Sequence, residues 1–224
     1  WSSDVCSSDL SIPERVNAYM KKCRIITIAR KYASGGRAIG QLLADRLNVP
    51  IYDKELIAMA AKKSGMSEEV FHNADERATS SLLYSLVMGT FSFGTVPAAG
   101  DMPINDKLFL IQSDIIKKAA EDSPCIIVGR CADYILRDRD DVLHVFVNAN
   151  REARKKRAIE FYGVDPAKVE DTLNRKDKQR GNYYSFYTNK RWDDVSNYNL
   201  TLDSSFFGLE KSADLILAAA EAME

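Results

Sequence analysis

"RIITIARKYASGGRAIGQLLADRLNVPIYD", residues 24–53, decides how the rest of the chain is read. Residues 25–29 are a short apolar run rich in isoleucine, as in a buried parallel strand. Gly35 and Gly36 break the run, and beyond Arg37 the apolar residues Ile39, Leu42, Leu43 and Leu47 recur at helical spacing. Pro50 closes the helical region, and Ile51-Tyr52 is a second short strand ending at Asp53. Strand, glycine turn and helix together suit a phosphate. Free N–H groups at a helix N-terminus and the helix dipole both favour an anion beyond the carboxyl end of the strand. Gly35 and Gly36 allow close approach of the backbone, and Ser34 adds a hydroxyl. The pattern GxxxxGK[ST] is nevertheless absent, so a substitute for its lysine is expected nearby. Arg37 is the first choice, because a guanidinium binds phosphate oxygens bidentately; Arg30 and Lys31 precede the turn. Taken alone, the stretch fits either a phosphate site or a plain βα turn.

Further along, a helix is expected over residues 54–63, stopped by Gly65, and Ser67 can cap another. Residues 84–105 carry little charge and several Gly, Pro, Ser and Thr, and read as a long mobile loop over a site. A strong helix follows over 106–121, with Leu108, Ile111, Ile115, Ile116 and Ala119 on one face and Asn105 as N-cap. Residues 125–128 form an apolar strand running into Gly129-Arg130, and 142–147 form another. His144 alternates within that strand and reads as structural. Asn150 caps a helix that ends near Gly163, and Asp165-Pro166 starts the next as N-cap and N1. "LTLD" is a short last strand before a helix over 209–222. Strands alternating with helices imply an α/β fold with a parallel sheet covered on both faces.

The bulk numbers fit this. The 224 residues suffice for one sizeable domain; 46% are apolar, 28% charged, and the net charge is −1. That balance argues against a general polyanion binder, and no apolar run is long enough to span a membrane. Cys6, Cys23, Cys125 and Cys131 form no CxxC pair, and His72 and His144 are the only histidines, which argues against zinc. Reduced thiols in a cytoplasmic protein are expected. "WSSDVCSSDL", residues 1–10, repeats "SSD" and resembles translated linker DNA. Residues 1–19 are therefore expected to be a non-native or disordered extension, with Met20 a candidate start and 20–224 one domain.

The carriers "ITIARKYASGGRAIG", "PIYDKELI", "CIIVGRCADYIL", "VFVNANREARKKRAIE" and "RKDKQRGNYYSFYT" make the chain similar to the cytidylate kinase-like family of P-loop nucleoside monophosphate kinases. The resemblance runs from about Arg24 to the C-terminus. It implies a three-layer P-loop kinase fold with a five-stranded parallel sheet, helices on both faces and a helical lid over about 154–192. It also implies transfer of the ATP γ-phosphoryl group, with Mg²⁺, to a nucleoside monophosphate, most simply CMP or dCMP. Position by position, the resemblance puts Ser34, Gly35, Gly36, Arg37 and Ala38 at the donor phosphates. It sets Asp53 and Arg130 at the acceptor, Arg180 as a phosphate-clamping lid arginine, and Asp177 as an acidic lid residue beside it. The ordinary lysine position falls on Gly36 and the metal-binding hydroxyl on Ala38. Cys131 replaces an aspartate for which Asp133 can substitute, and Met59 replaces an arginine. No residue is assigned as a metal ligand.

Charge distribution supports phosphate chemistry independently. Residues 151–191 hold twelve Lys or Arg against six Asp or Glu, a local balance of +6. Phosphoryl transfer needs cations around the equatorial oxygens. Lys178 and Arg180 are the expected contributors, beside a hinge at Gly181, and Arg154 and Arg157 share a helix face. Tyr183, Tyr184, Phe186 and Tyr187, with Trp192, are expected to pack under the lid rather than stack on nucleic acid. Two other readings stay open: a nucleotide-binding regulatory protein with weak or no catalysis, and a kinase of another small phosphate acceptor.

Overall fold

A computed structural model describes residues 22–53 and 104–223. Its strands are β1 (Ile25–Arg30), β2 (Ile51–Tyr52), β3 (Cys125–Val128), β4 (Val142–Asn148) and β5 (Leu200–Asp203). All pair in parallel, in the order β2-β3-β1-β4-β5, with β1 at the centre. The helices are α1 (Gly36–Leu47), α2 (Ile104–Asp122), α3 (Ala132–Ile135), α4 (Arg151–Tyr162), α5 (Val169–Thr188) and α6 (Ser204–Glu221).

Strand alternation divides the apolar residues between two faces. Ile26 and Ile28 of β1, Val128 of β3 and Val145 of β4 pack against Ile39 and Leu43 of α1 and Ile216 of α6. Ile25, Cys125, Ile127 and Val142 face the other way, onto Ile115 and Ile116 of α2 and Ala132 of α3. The result is the expected three-layer α/β arrangement. His144 sits on β4 opposite Thr27, with Nδ1 2.8 Å from Thr27 Oγ1, and burial pushes its pKa down to about 4. It is a structural histidine, as expected.

Capping follows the sequence closely. Asn150 and Asp165 accept hydrogen bonds from Ala153 N–H and Ala167 N–H, and Gly163 closes α4 in the left-handed region at φ 62°. Asp165-Pro166 opens a short 3₁₀ turn, Pro166–Lys168, that leads into α5. Three expectations are corrected. Helix α2 begins at Ile104, so Asn105 lies inside its first turn instead of capping it. Helix α6 starts at Ser204, earlier than residue 209, with a bend at Gly208. Gly181, expected beside the lid as a hinge, lies inside the unbroken α5, where a 20-residue helix absorbs the roughly 1 kcal/mol that one glycine costs. Residues 1–19, expected to be a non-native or disordered extension, Met20, Met59, the helix expected at 54–63 and residues 84–103 of the expected loop lie outside the described residues.

Candidate functional site

At the carboxyl end of the sheet, β1 stops at Arg30 and α1 begins at Gly36. The intervening loop turns through two left-handed residues, Ala33 at φ 59° and Gly35 at φ 85°. Ser34 is fully buried; its carbonyl accepts a hydrogen bond from Ser204 Oγ, while its own Oγ has no partner among the described residues. A buried hydroxyl without a partner costs about 1–3 kcal/mol, a debt that an anionic oxygen at the head of α1 removes. Gly36 explains the missing lysine. A Cβ there would stand 2.6 Å from Arg30 Cβ, so the stem of Arg30 fills the space a side chain at 36 needs.

Arg30 then runs across to the end of β3. Gly129, Arg130 and Cys131 are three successive left-handed residues, with φ of 80°, 60° and 56°. Two of them lack glycine's freedom, and such conformations cost about 1–2 kcal/mol per residue. The turn leaves room for Arg30: a Cβ on Gly129 would lie 1.9 Å from Arg30 Nη1. A cavity of about 230 Å³ opens there, lined on one side by Arg30, Arg130, Cys131 and Asp133. Lys176, Gln179, Arg180, Tyr183 and Tyr184 of α5 line the other, and Phe146 and Trp192 pack with Tyr184 at its base. Among the described residues, four cations therefore meet one lining carboxylate.

The electrostatics reflect that excess. Burial first, then Arg180, pushes the Arg30 pKa down to about 9, with Asp53 (Nη2 to Oδ1, 3.4 Å) opposing and Arg130 adding. Burial also lowers Arg180, opposed by Asp177. Asp133 accepts a hydrogen bond from Tyr184 Oη at 2.6 Å, and its burial raises its carboxyl above the ordinary range. Burial raises the Cys131 thiol well above normal as well, so it is not a ready nucleophile.

The α4–α5 hairpin is fastened to the loop. Ala33 packs among Ala158, Val169 and Leu173. Three hairpin guanidiniums donate to carbonyls of the loop and of the end of β1: Arg180 Nη1 to Arg30 O at 2.9 Å, Arg154 Nε to Tyr32 O at 2.7 Å, and Arg157 Nη1 to Ala33 O at 2.9 Å. Asp177 accepts from Tyr32 N–H at 2.8 Å and pairs with the buried Arg154. Arg157 also lies on Gly35, its Cζ 3.3 Å from where a Cβ would be.

Most of the residues expected at the site converge, though in altered parts. Arg130, Asp133 and Arg180 line the cavity. Asp53 bridges Arg30 and Arg37, whose Nε lies 2.8 Å from Asp53 Oδ2. Arg37 is thus drawn toward β2, half-exposed, and the guanidinium on Gly35 is that of Arg157. Arg37 and Ala38 border a second hollow with Tyr162 and Leu209. Asp177 binds the loop backbone. Lys178 is exposed and does not line the cavity; Lys176 does. At 100° per residue, 176, 180 and 183 share a face of α5, and 178 points away from it. Sequence reading left Lys176 and Gln179 out of the site and named Arg30 only as a cation preceding the turn. The stripe 176, 179, 180, 183, 184 at helical spacing was the available signal.

Among the described residues, no three His, Cys, Asp or Glu side chains gather into a metal site, and no helix is long and apolar enough to cross a membrane. The cytidylate kinase-like family model matches residues 25–206. No curated protein matches the sequence. An uncharacterized protein from Eubacterium ventriosum is similar in structure, with TM-score 0.66 at 24% identity, over 88% of this chain and 98% of that one. A shikimate kinase from Bacteroides thetaiotaomicron aligns with TM-score 0.51 at 12% identity, over 88% and 98%. A shikimate kinase from Acinetobacter baumannii, solved with shikimate, gives 0.51 at 11%, over 93% and 99%. These likenesses establish the fold.

Proposed function

The chain belongs to the cytidylate kinase-like family, and on that premise we propose that it is an ATP-dependent kinase that transfers a phosphoryl group to a nucleoside monophosphate, most simply CMP or dCMP. One observation carries this reading. Arg30, Arg130, Lys176 and Arg180 line one cavity where β1 and β3 end, and among the described residues Asp133 is the one carboxylate lining it with them. A parallel sheet binds ligands at that edge, and so dense a group of cations suits an anion.

The triphosphate fits the loop. The partnerless Ser34 Oγ, the left-handed Gly35 and the free N–H groups opening α1 offer donors to its oxygens. Asp53, paired with Arg37, is a carboxylate beside that loop, and magnesium bound with ATP takes most of its ligands from phosphate and water. When bound, the metal neutralises charge on the transferring group. The protein's own part is positioning. Arg130 and Lys176 hold the acceptor phosphate, and Asp133, fixed by Tyr184, meets the acceptor's polar edge. Arg180 stands between loop and cavity, where charge develops on the transferring oxygens. Asp53 keeps Arg30 and Arg37 oriented.

A second reading has its own support. The cavity of about 230 Å³ formed by the described residues is smaller than the roughly 300–1,000 Å³ of ordinary ligand pockets, and so suits a compact acceptor. A coupled assay of ADP release across CMP, dCMP, UMP, AMP, GMP and shikimate separates the two. Turnover fastest with CMP or dCMP supports the first reading, and turnover with shikimate alone the second. ATP binding without turnover on any acceptor points to the regulatory alternative.

A further inference from the structure

Arg30, the last residue of β1, lies across both glycine turns of the site. Its stem fills the place where a side chain at 36 would begin, with Cβ 2.6 Å and Cγ 3.0 Å from the position of a Cβ on Gly36. In the common loop the lysine sets out from that position and reaches the β- and γ-phosphates. The Arg30 guanidinium ends against Gly129, in the lining of the cavity. One side chain therefore runs from the head of α1, where the donor phosphates fit, to the cavity that fits the acceptor. Its charge is held by a shared partner. Asp53 Oδ1 lies 3.4 Å from Arg30 Nη2, while Oδ2 of the same carboxylate lies 2.8 Å from Arg37. Burial, then Arg180, push the Arg30 pKa down to about 9, with Arg130 adding, so an anion arriving among these guanidiniums relieves their repulsion. A guanidinium has five N–H donors, and the contact with Asp53 leaves the fork its capacity for further oxygens.

We infer that Arg30 stands in for the loop lysine: its stem follows the lysine's path past Gly36, and its guanidinium binds the γ-phosphoryl group of the nucleoside triphosphate as that group passes to the acceptor. The inference rests on the kinase reading and deepens it. In the transfer, the bond from the γ-phosphorus to the β,γ-bridging oxygen breaks, and its electron pair leaves with ADP. A bond from the same phosphorus to an oxygen of the dianionic acceptor phosphate forms. Arg30 gives and takes no proton; its fork faces the equatorial oxygens while charge spreads over them.

The test joins the coupled ADP-release assay, run with the fastest acceptor, to isothermal titration with Mg·ATP and separately with Mg·ADP. The variants are Arg30→Ala, Arg30→Met, and Arg30→Ala combined with Gly36→Lys. Loss of a charge on the γ-phosphoryl group predicts kcat lowered about 10²–10³-fold in both single variants, with Mg·ATP bound about tenfold more weakly and Mg·ADP within about twofold. Arg30→Met keeps a stem against Gly36 and removes the charge, so it decides the case if thermal melting shows that Arg30→Ala does not fold. Arg30→Ala clears the space at 36, and adding Gly36→Lys to it restores kcat about tenfold. Turnover of Arg30→Met within about threefold of the unaltered protein overturns the inference and leaves the kinase reading intact. Equal loss of ATP and ADP affinity overturns it too, because the residue then only shapes the loop. So does a folded double variant no faster than Arg30→Ala. If the unaltered protein binds Mg·ATP but turns over no acceptor, the kinase reading fails, and the ATP-against-ADP difference still reads the contact of Arg30. If it binds neither nucleotide, both fail.

Discussion

The loop after β1 and the α4–α5 hairpin bring opposite things to the proposed anion site. The loop contributes geometry: two left-handed residues, a buried hydroxyl and the amides that open α1. It places little charge of its own over Gly35, since Arg37 turns to Asp53. The hairpin contributes charge, and its three arginines reach the loop through backbone carbonyls, not through side chains. A carbonyl is present whatever the residue, so this docking survives sequence change in the loop. An ordinary phosphate loop keeps both tasks within eight residues. Here they are some 120 to 150 positions apart, joined by the fold.

The division is most sharply broken at Arg154. It is 4% exposed and bonds both Asp177 and Tyr32 O, so Arg154→Ala leaves the Asp177 carboxylate with Tyr32 N–H but without its guanidinium partner. Losing half of a buried pair costs about 3–5 kcal/mol, and urea denaturation will show a midpoint lowered accordingly with little change in slope. An unchanged midpoint would mean that the hairpin is not fastened to the loop. Next comes Arg180→Ala. Removing a group aimed at developing charge lowers kcat about 10²–10³-fold, measured in the coupled assay with saturating donor and acceptor. Arg130→Ala follows, with acceptor KM raised about tenfold and donor KM little changed; a donor-side effect alone would reverse the assignment of the two sides. Smallest is Arg37→Ala. Its half-exposed pair with Asp53 is worth about 0–1 kcal/mol, so ATP affinity changes by a few-fold at most. A large loss at Arg37 would return the donor cation to the loop itself.

These contrasts follow what the sequence made legible. Period-2 and period-3.6 patterns located β1, β3, β4, α1 and the greater part of α2, because each element buries one continuous apolar face. Caps at Asn150 and Asp165 were readable because the bond is local, two or three residues away. Arg130, Asp133 and Arg180 were placed by resemblance, and they do share a cavity. The source of the loop's charge was not legible. From the sequence Arg37 is the adjacent cation, and nothing local states that Asp53 takes it. Lys178 lies outside the cavity lining for a different reason: proximity to Gly181 was weighed, while helical phase, which favours Lys176, was not. The role of Arg30 depends on space left by Gly36 and Gly129, two glycines over 90 positions apart.

The contact between Gly36 and the stem of Arg30 has an evolutionary consequence. A lysine cannot enter at 36 while Arg30 remains, and shortening Arg30 alone removes a cavity cation with nothing to replace it. Each single step toward the common loop is therefore deleterious, and only the double replacement is open. The two positions are epistatic, and descendants of this chain will tend to keep both or exchange both together.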